Sequence, residues 1–174
     1  MSQDIALLDA NIFYPAPLRD LFMQLAVSDL FQARWTADIH RARLERTREM
    51  MDLATRDCLI TGYEPLIPSL TLPDPDDRHV LAAAVTGRCT VIVTWNLVDF
   101  PKEVLEPFGI EAQDPDSFLA HQLSLSPDRF CAAVRKVRQR LKNPPYTTEQ
   151  YLTILTRQRL VATVAALEPF SKQI

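Results

Sequence analysis

Short apolar runs alternate along this chain with longer stretches whose apolar residues recur at three- and four-residue intervals, a pattern of strands alternating with helices. "DIALLD" reads as a first strand. In "PLRDLFMQLAVSDLF", Leu18, Leu21, Phe22 and Leu25 share one helical stripe and Pro17 suits a first turn, so a crossover helix is expected there. A second helical region is expected from Thr36, read as its N-cap, to about Arg56. Prolines and a glycine break "CLITGYEPLIPSLTLPDPDD" into a loop holding a short helix or strand. "DRHVLAAAVTG" then reads as a helix that Gly87 closes in a left-handed cap, and "CTVIVTW" as a strand buried on both faces. "PKEVLEPFG" gives one or two helical turns, "IEAQ" a short edge strand, and "DPDSFLAHQLSL" a helix with Asp114 as its N-cap.

Past residue 125 the pattern is helical only. "SPDRFCAAVRKVRQRLK" has Ser126 at the N-cap and Pro127 at the first helical position, with Phe130, Val134, Val137 and Leu141 on one stripe. After the "NPPY" break, "TTEQYLTILTRQRLVATVAALEPF" supplies one long or two short helices. The expected fold class is therefore α/β with a largely parallel sheet, divided into a domain over 1–125 and a helical C-terminal extension over 126–174.

Composition narrows the function classes. A chain of 174 residues that is 47% hydrophobic can bury a proper core, and no apolar stretch approaches the roughly 20 residues that span a bilayer. The N-terminus has neither a basic nor a long apolar leader segment, so a cytoplasmic protein with no membrane partner is expected. The three cysteines, Cys58, Cys89 and Cys131, fit neither a disulfide framework nor a zinc knuckle and read as buried free thiols. His40, His79 and His121 stand in no catalytic spacing with Cys or Ser and read as structural or surface residues, and three glycines in all exclude a phosphate-cradling loop or dinucleotide fingerprint. Charge is divided unevenly: residues 1–126 hold 10 Lys+Arg against 19 Asp+Glu, residues 127–174 hold 9 against 3. An acidic body with a basic tail suits a cation-loaded site served by a phosphate-attracting surface.

Three aspartates carry the candidate chemistry. Asp9 closes "IALLD", Asp77 opens the helix "RHVLAAAV", and Asp99 follows the strand "TVIVT" by a short turn. Each alone is explained as a helix cap or turn former, as are Asn11, Thr94 and Asn96. If the strands are parallel neighbours, however, their carboxyl ends lie on one edge, where open α/β sheets place ligands. Converging carboxylates repel, and a hard cation such as Mg²⁺ or Mn²⁺ neutralises them.

The order "LLDAN", "DPDDRHVLAAA", "VTWNLVDFP" and "IEAQDPDSFL" resembles the PIN-domain (PilT N-terminal) nucleases, the fold of VapC-type bacterial toxins, over residues 5 to about 122. The resemblance implies a three-layer α/β/α fold, Mg²⁺ or Mn²⁺ as cofactor, and metal ligation by Asp9, Asp77 and Asp99, with Asn11, Thr94, Asn96 and Asp76 as neighbours, of which Asn11, Thr94 or Asn96 would orient phosphate or water and Asp76 is a further candidate ligand. Its further acidic position, on an early helix, falls near Ala42, so that carboxylate is missing. Glu45 is the preferred substitute and Asp38 the second choice, since both share the helix face of Ala42. Arg41 and Arg46, in "RARLERTR", would bind the phosphates of the substrate, although such a helix face is more often simply solvated.

The function expected is a metal-dependent endoribonuclease, the toxin of a toxin–antitoxin pair, with RNA as substrate and an antitoxin and a second copy of the chain as partners. The alternative is a PIN-like RNA- or protein-binding module with an impaired metal site. A phosphotransferase using Asp9 as nucleophile ranks below both, because Asn11 stands where a second aspartate would be needed.

Overall fold

A computed structural model describes residues 3–38 and 57–174. Five strands form one all-parallel sheet: β1 (Ile5–Leu8), β2 (Gln32–Thr36), β3 (Leu59–Ile60), β4 (Val91–Val93) and β5 (Glu111–Gln113), in the spatial order β3-β2-β1-β4-β5. β4 is buried at every residue, as its unbroken Val-Ile-Val run requires. The registers place Leu8 beside Val93 and Ile92 beside Ala112. From β1 the chain steps outward to β2 and β3, then returns to the other side of β1 to lay down β4 and β5. The order therefore reverses between β1 and β4, and in open α/β sheets the crevice outside the carboxyl ends of two such strands is where ligands bind.

Among the described residues the helices are α1 (Ala10–Phe13), α2 (Ala16–Val27), α3 (Arg78–Thr86), α4 (Lys102–Leu105), α5 (Pro115–Leu125), α6 (Pro127–Arg140), α7 (Thr148–Arg157) and α8 (Val161–Leu167). Short 3₁₀ turns cover Glu64–Ser69, Pro75–Asp77 and Leu97–Asp99. With the parallel sheet this is the α/β/α class expected, followed by C-terminal helices. α3 leads into β4 and so begins on the carboxyl edge of the sheet, which carries Asp77 to that edge.

Two compact units emerge. One comprises Met1–Ile12 and Phe31–Asp114 and contains the whole sheet; the other comprises Phe13–Leu30 and Pro115–Ile174, and is helical. In the helical unit the expected stripe of α2 is buried at Leu18, Leu21, Phe22 and Leu25, and Phe22 stacks on Phe118 of α5 with ring centroids 6.1 Å apart. α6 buries Phe130, Val134 and Val137 of its predicted stripe. The segment after "NPPY" resolves into two helices, α7 and α8. A reciprocal cap of Thr147 and Gln150 starts the first, and both Asp116 carboxylate oxygens accept from backbone N–H groups at the start of the second, 2.8 Å from Ala162 and from Thr163.

Two local expectations are corrected. Thr36 is not a helix N-cap but the last residue of β2, a strand the periodicity did not reveal. Gly87 has an ordinary φ of −78°, and the left-handed position after α3 falls on Arg88 at φ 52°. What Gly87 supplies is room: a Cβ there would lie 2.4 Å from Ile60 Cδ1. The cysteines are buried free thiols, and burial pushes the Cys89 thiol up to about 12. Among the described residues no helix is long and apolar enough to cross a membrane.

Candidate metal centre at the sheet switch point

Asp9 follows β1 directly, and its backbone N–H donates to Val93 O of β4 at 3.1 Å, tying the two strand ends together. Its carboxylate is held by short local bonds: Oδ1 accepts from Ala10 N at 2.6 Å, and Oδ2 accepts from Asn11 Nδ2 at 2.6 Å and from Thr94 Oγ1 at 2.7 Å. Thr94 is fully buried, and its hydroxyl also accepts from Asn11 Nδ2 and from Asn96 N, each at 3.0 Å. Asn11 Oδ1 accepts from Trp95 N at 3.3 Å, and Asn96 Nδ2 in turn donates to Asp99 Oδ2. A single network thus runs from Asp9 through Asn11, Thr94 and Asn96 to Asp99. Of the predicted neighbours, these three are structural partners of the carboxylates.

Asp99 ends the 3₁₀ turn Leu97–Asp99, and Asp77 ends the turn Pro75–Asp77. The oxygens of Asp74, Asp77 and Asp99 lie within 4.8 Å of one another. Partial burial first, and then the charges of Asp9, Asp99 and Asp74, push the Asp77 carboxyl from 3.8 up to about 6, while the neighbouring His79 acts in the opposite direction. An acid so shifted lies where like charge is concentrated and not fully hydrated. Hydrated oxygens alone would not do this.

Asp74, one of three aspartates just ahead of α3, is the member of the trio for which the sequence suggested no metal role. Its side chain accepts from Asp76 N at 2.9 Å, the capping role that local pattern assigns it, and it reaches the cluster as well. Asp76 is exposed and lies outside that trio; its carbonyl oxygen lies 2.6 Å from His79 Nδ1. Asp38, the second choice for the missing acid, accepts from the buried Tyr63 hydroxyl at 2.5 Å and is not in the trio. Glu45, Arg41 and Arg46 lie outside the described residues.

Among the described residues the clustered donors are carboxylate oxygens. Hard oxygen donors suit Mg²⁺ or Mn²⁺, whereas zinc sites draw on Cys and His. Among the described residues, His79 is the histidine whose charge acts on Asp77, and its Nδ1 already faces Asp76 O.

Comparison with known proteins gives two family matches. The model of the PIN domain matches residues 6–97, and that of the VapC50 C-terminal domain matches residues 115–169. The "Putative ribonuclease VapC50" of Mycobacterium tuberculosis is 41% identical over 97 residues, which cover 56% of this chain and 57% of that protein. The match thus spans little more than half the length of that relative. No solved structure matches significantly.

Proposed function

The chain belongs to the PIN-domain family, and from that premise we propose that it is a metal-dependent endoribonuclease, the toxin of a toxin–antitoxin pair acting in the cytoplasm. The observation that carries this reading is the approach of Asp74, Asp77 and Asp99 to within 4.8 Å at the switch point of the sheet, with the charge of Asp9 felt by Asp77. Asp77 and Asp99 would hold Mg²⁺ or Mn²⁺ with Asp9, and Asp74 is the further oxygen donor within reach. Such an ion, when bound, polarises a phosphoryl oxygen and lowers the pKa of bound water.

The chain's own residues supply position. Thr94 and Asn11 fix the Asp9 carboxylate, and Asn96 fixes that of Asp99, so neither has to be ordered when a phosphodiester arrives. Ionised Asp77 is a ligand; protonated, it is not, so loading should strengthen as pH rises through about 6. Glu45 remains the proposed substitute for the acidic position near Ala42, and Arg41 and Arg46 the proposed phosphate contacts. Similarity to a mycobacterial protein named as a ribonuclease supports RNA as substrate; an antitoxin and a second copy of the chain are the proposed partners.

Thermal unfolding with and without millimolar Mn²⁺ or Mg²⁺ tests the site. A cation at 100 times its Kd should stabilise the wild type by about 2.7 kcal/mol, and Asp77→Asn should lose most of this. An unchanged cation effect in Asp77→Asn would sink the ligand assignment and favour the binding-module alternative.

A further inference from the structure

We propose that the solvent-facing side of α6 is a second RNA-binding surface, built from none of the carboxylates, that grips the phosphodiester backbone. It rests on the ribonuclease reading only for the identity of the polyanion. α6 carries Arg129, Arg135, Lys136, Arg138 and Arg140 against one acid, Asp128. Its apolar stripe is turned inward, and Arg129, Ala132, Lys136 and Arg140 are all exposed. These four recur at helical spacing, so they form a stripe about 16 Å long at roughly 1.5 Å per residue.

Both guanidiniums of this stripe are held in place. Arg129 donates to the backbone oxygen of Ser28 at 2.7 Å, and Arg140 donates to Oε1 of Gln24. Gln24 is only 4% exposed, and its Nε2 donates to Ser28 Oγ at 3.1 Å, so the strut beneath Arg140 is itself buried and bonded. Each bond engages one arm of a guanidinium that has five N–H donors, which leaves the others for an anion. A hollow of 280 Å³ lies here, lined by Gln24, Val27, Ser28, Arg129, Ala132 and Lys136. Ala132 is too small to fill it, and the Lys136 ammonium has no hydrogen-bond or ion-pair partner among the described residues. A strut role accounts for Arg129 and Arg140 but for neither Lys136 nor the hollow.

The chemistry favours RNA over a protein partner. Protein–protein interfaces are rich in aromatic side chains and depleted in lysine at their centres, whereas the hollow has one apolar side chain of any size, Val27, and no aromatic. Nucleic-acid interfaces are polar and strongly cationic, and a row of fixed charges matches a polyanion. The unit that carries α6 holds 10 Lys+Arg against 6 Asp+Glu, while the sheet unit holds 9 against 16.

Fluorescence anisotropy of a labelled single-stranded RNA with the full chain in EDTA reads binding without cleavage. Lys136→Glu should weaken Kd about 10-fold near 0.1 M salt, and Lys136→Gln should lower the slope of log Kd against log salt by about one. Lys172→Gln, which changes an exposed cation of the same unit outside this stripe, should move Kd less than about twofold. Circular dichroism and unfolding temperature check that each variant folds. Wild-type RNA affinity in Lys136→Glu, the result expected if the face serves a protein partner instead, would overturn the proposal, as would an equal loss in Lys172→Gln. The two readings are separable: weakened binding in the Lys136 variants sustains the surface even if no divalent ion supports cleavage.

Discussion

Partial burial, and then the carboxylates around it, oppose the charge of Asp77, and this has a measurable sign. Its pKa is about 6 in the folded chain against an ordinary value of 3.8, so the folded state holds this proton more tightly than the unfolded state does. Below pH 4 both states are protonated and the shift contributes nothing. Between pH 4 and 6 the unfolded state ionises first, and metal-free stability falls as pH rises, reaching a lower plateau above 6. Urea unfolding in EDTA at pH 4.5 and 7.5 should therefore show this decrement in the wild type and a smaller one in Asp77→Asn, which should also be the more stable protein at pH 7.5. The placement of Asp9, Asp77 and Asp99 at turns of an α/β fold was legible in the sequence, because Asp9 and Asp99 follow apolar strands and Asp77 opens a helix. Asp74 was not, since a capping role already explained it and only the three-dimensional trace shows its oxygens beside those of Asp77 and Asp99.

At the scale of elements, strand β2 was missed although a period of two was present. Gln32 and Arg34 are exposed or half-buried while Ala33 and Trp35 are buried, but two inward residues in a five-residue run give too short a signal beside a neighbouring helix. Placing a helix cap at Thr36 followed from that omission. The contact of Gly87 with Ile60 was equally hidden, because it joins residues far apart in sequence that only the fold brings together. Gly87→Ala should cost about 1–3 kcal/mol by overpacking against Ile60 Cδ1. Ile60→Val removes that methyl, so the double variant should be more stable than the two single losses added together, by at least about 0.5 kcal/mol in denaturant titrations. Strict additivity would show that the strain is carried elsewhere.

At the scale of the whole molecule, alternation of strands and helices was enough to predict a parallel sheet. What it did not give was the spatial order. That order sets β1 beside β4, and this adjacency links Asp9 to Asp99 through the bond of Asp9 N to Val93 O and through Thr94 and Asn96. Nor did periodicity show that α2 and α5 belong to one compact unit with the later helices, because the aromatic stacking of Phe22 on Phe118 is not local in sequence. The charge asymmetry, in contrast, was visible in residue counts and survives as the difference between the two units. The central claim is that the switch-point carboxylates form a metal-dependent ribonuclease site. Single-turnover cleavage of a labelled RNA, with Mn²⁺ titrated into wild type, Asp77→Asn and Asp99→Asn, tests it most directly. Cleavage should require the cation, rise with its concentration, and fall on the order of 100-fold or more in either folded variant; wild-type rates in those variants, or undiminished cleavage in EDTA, would contradict it.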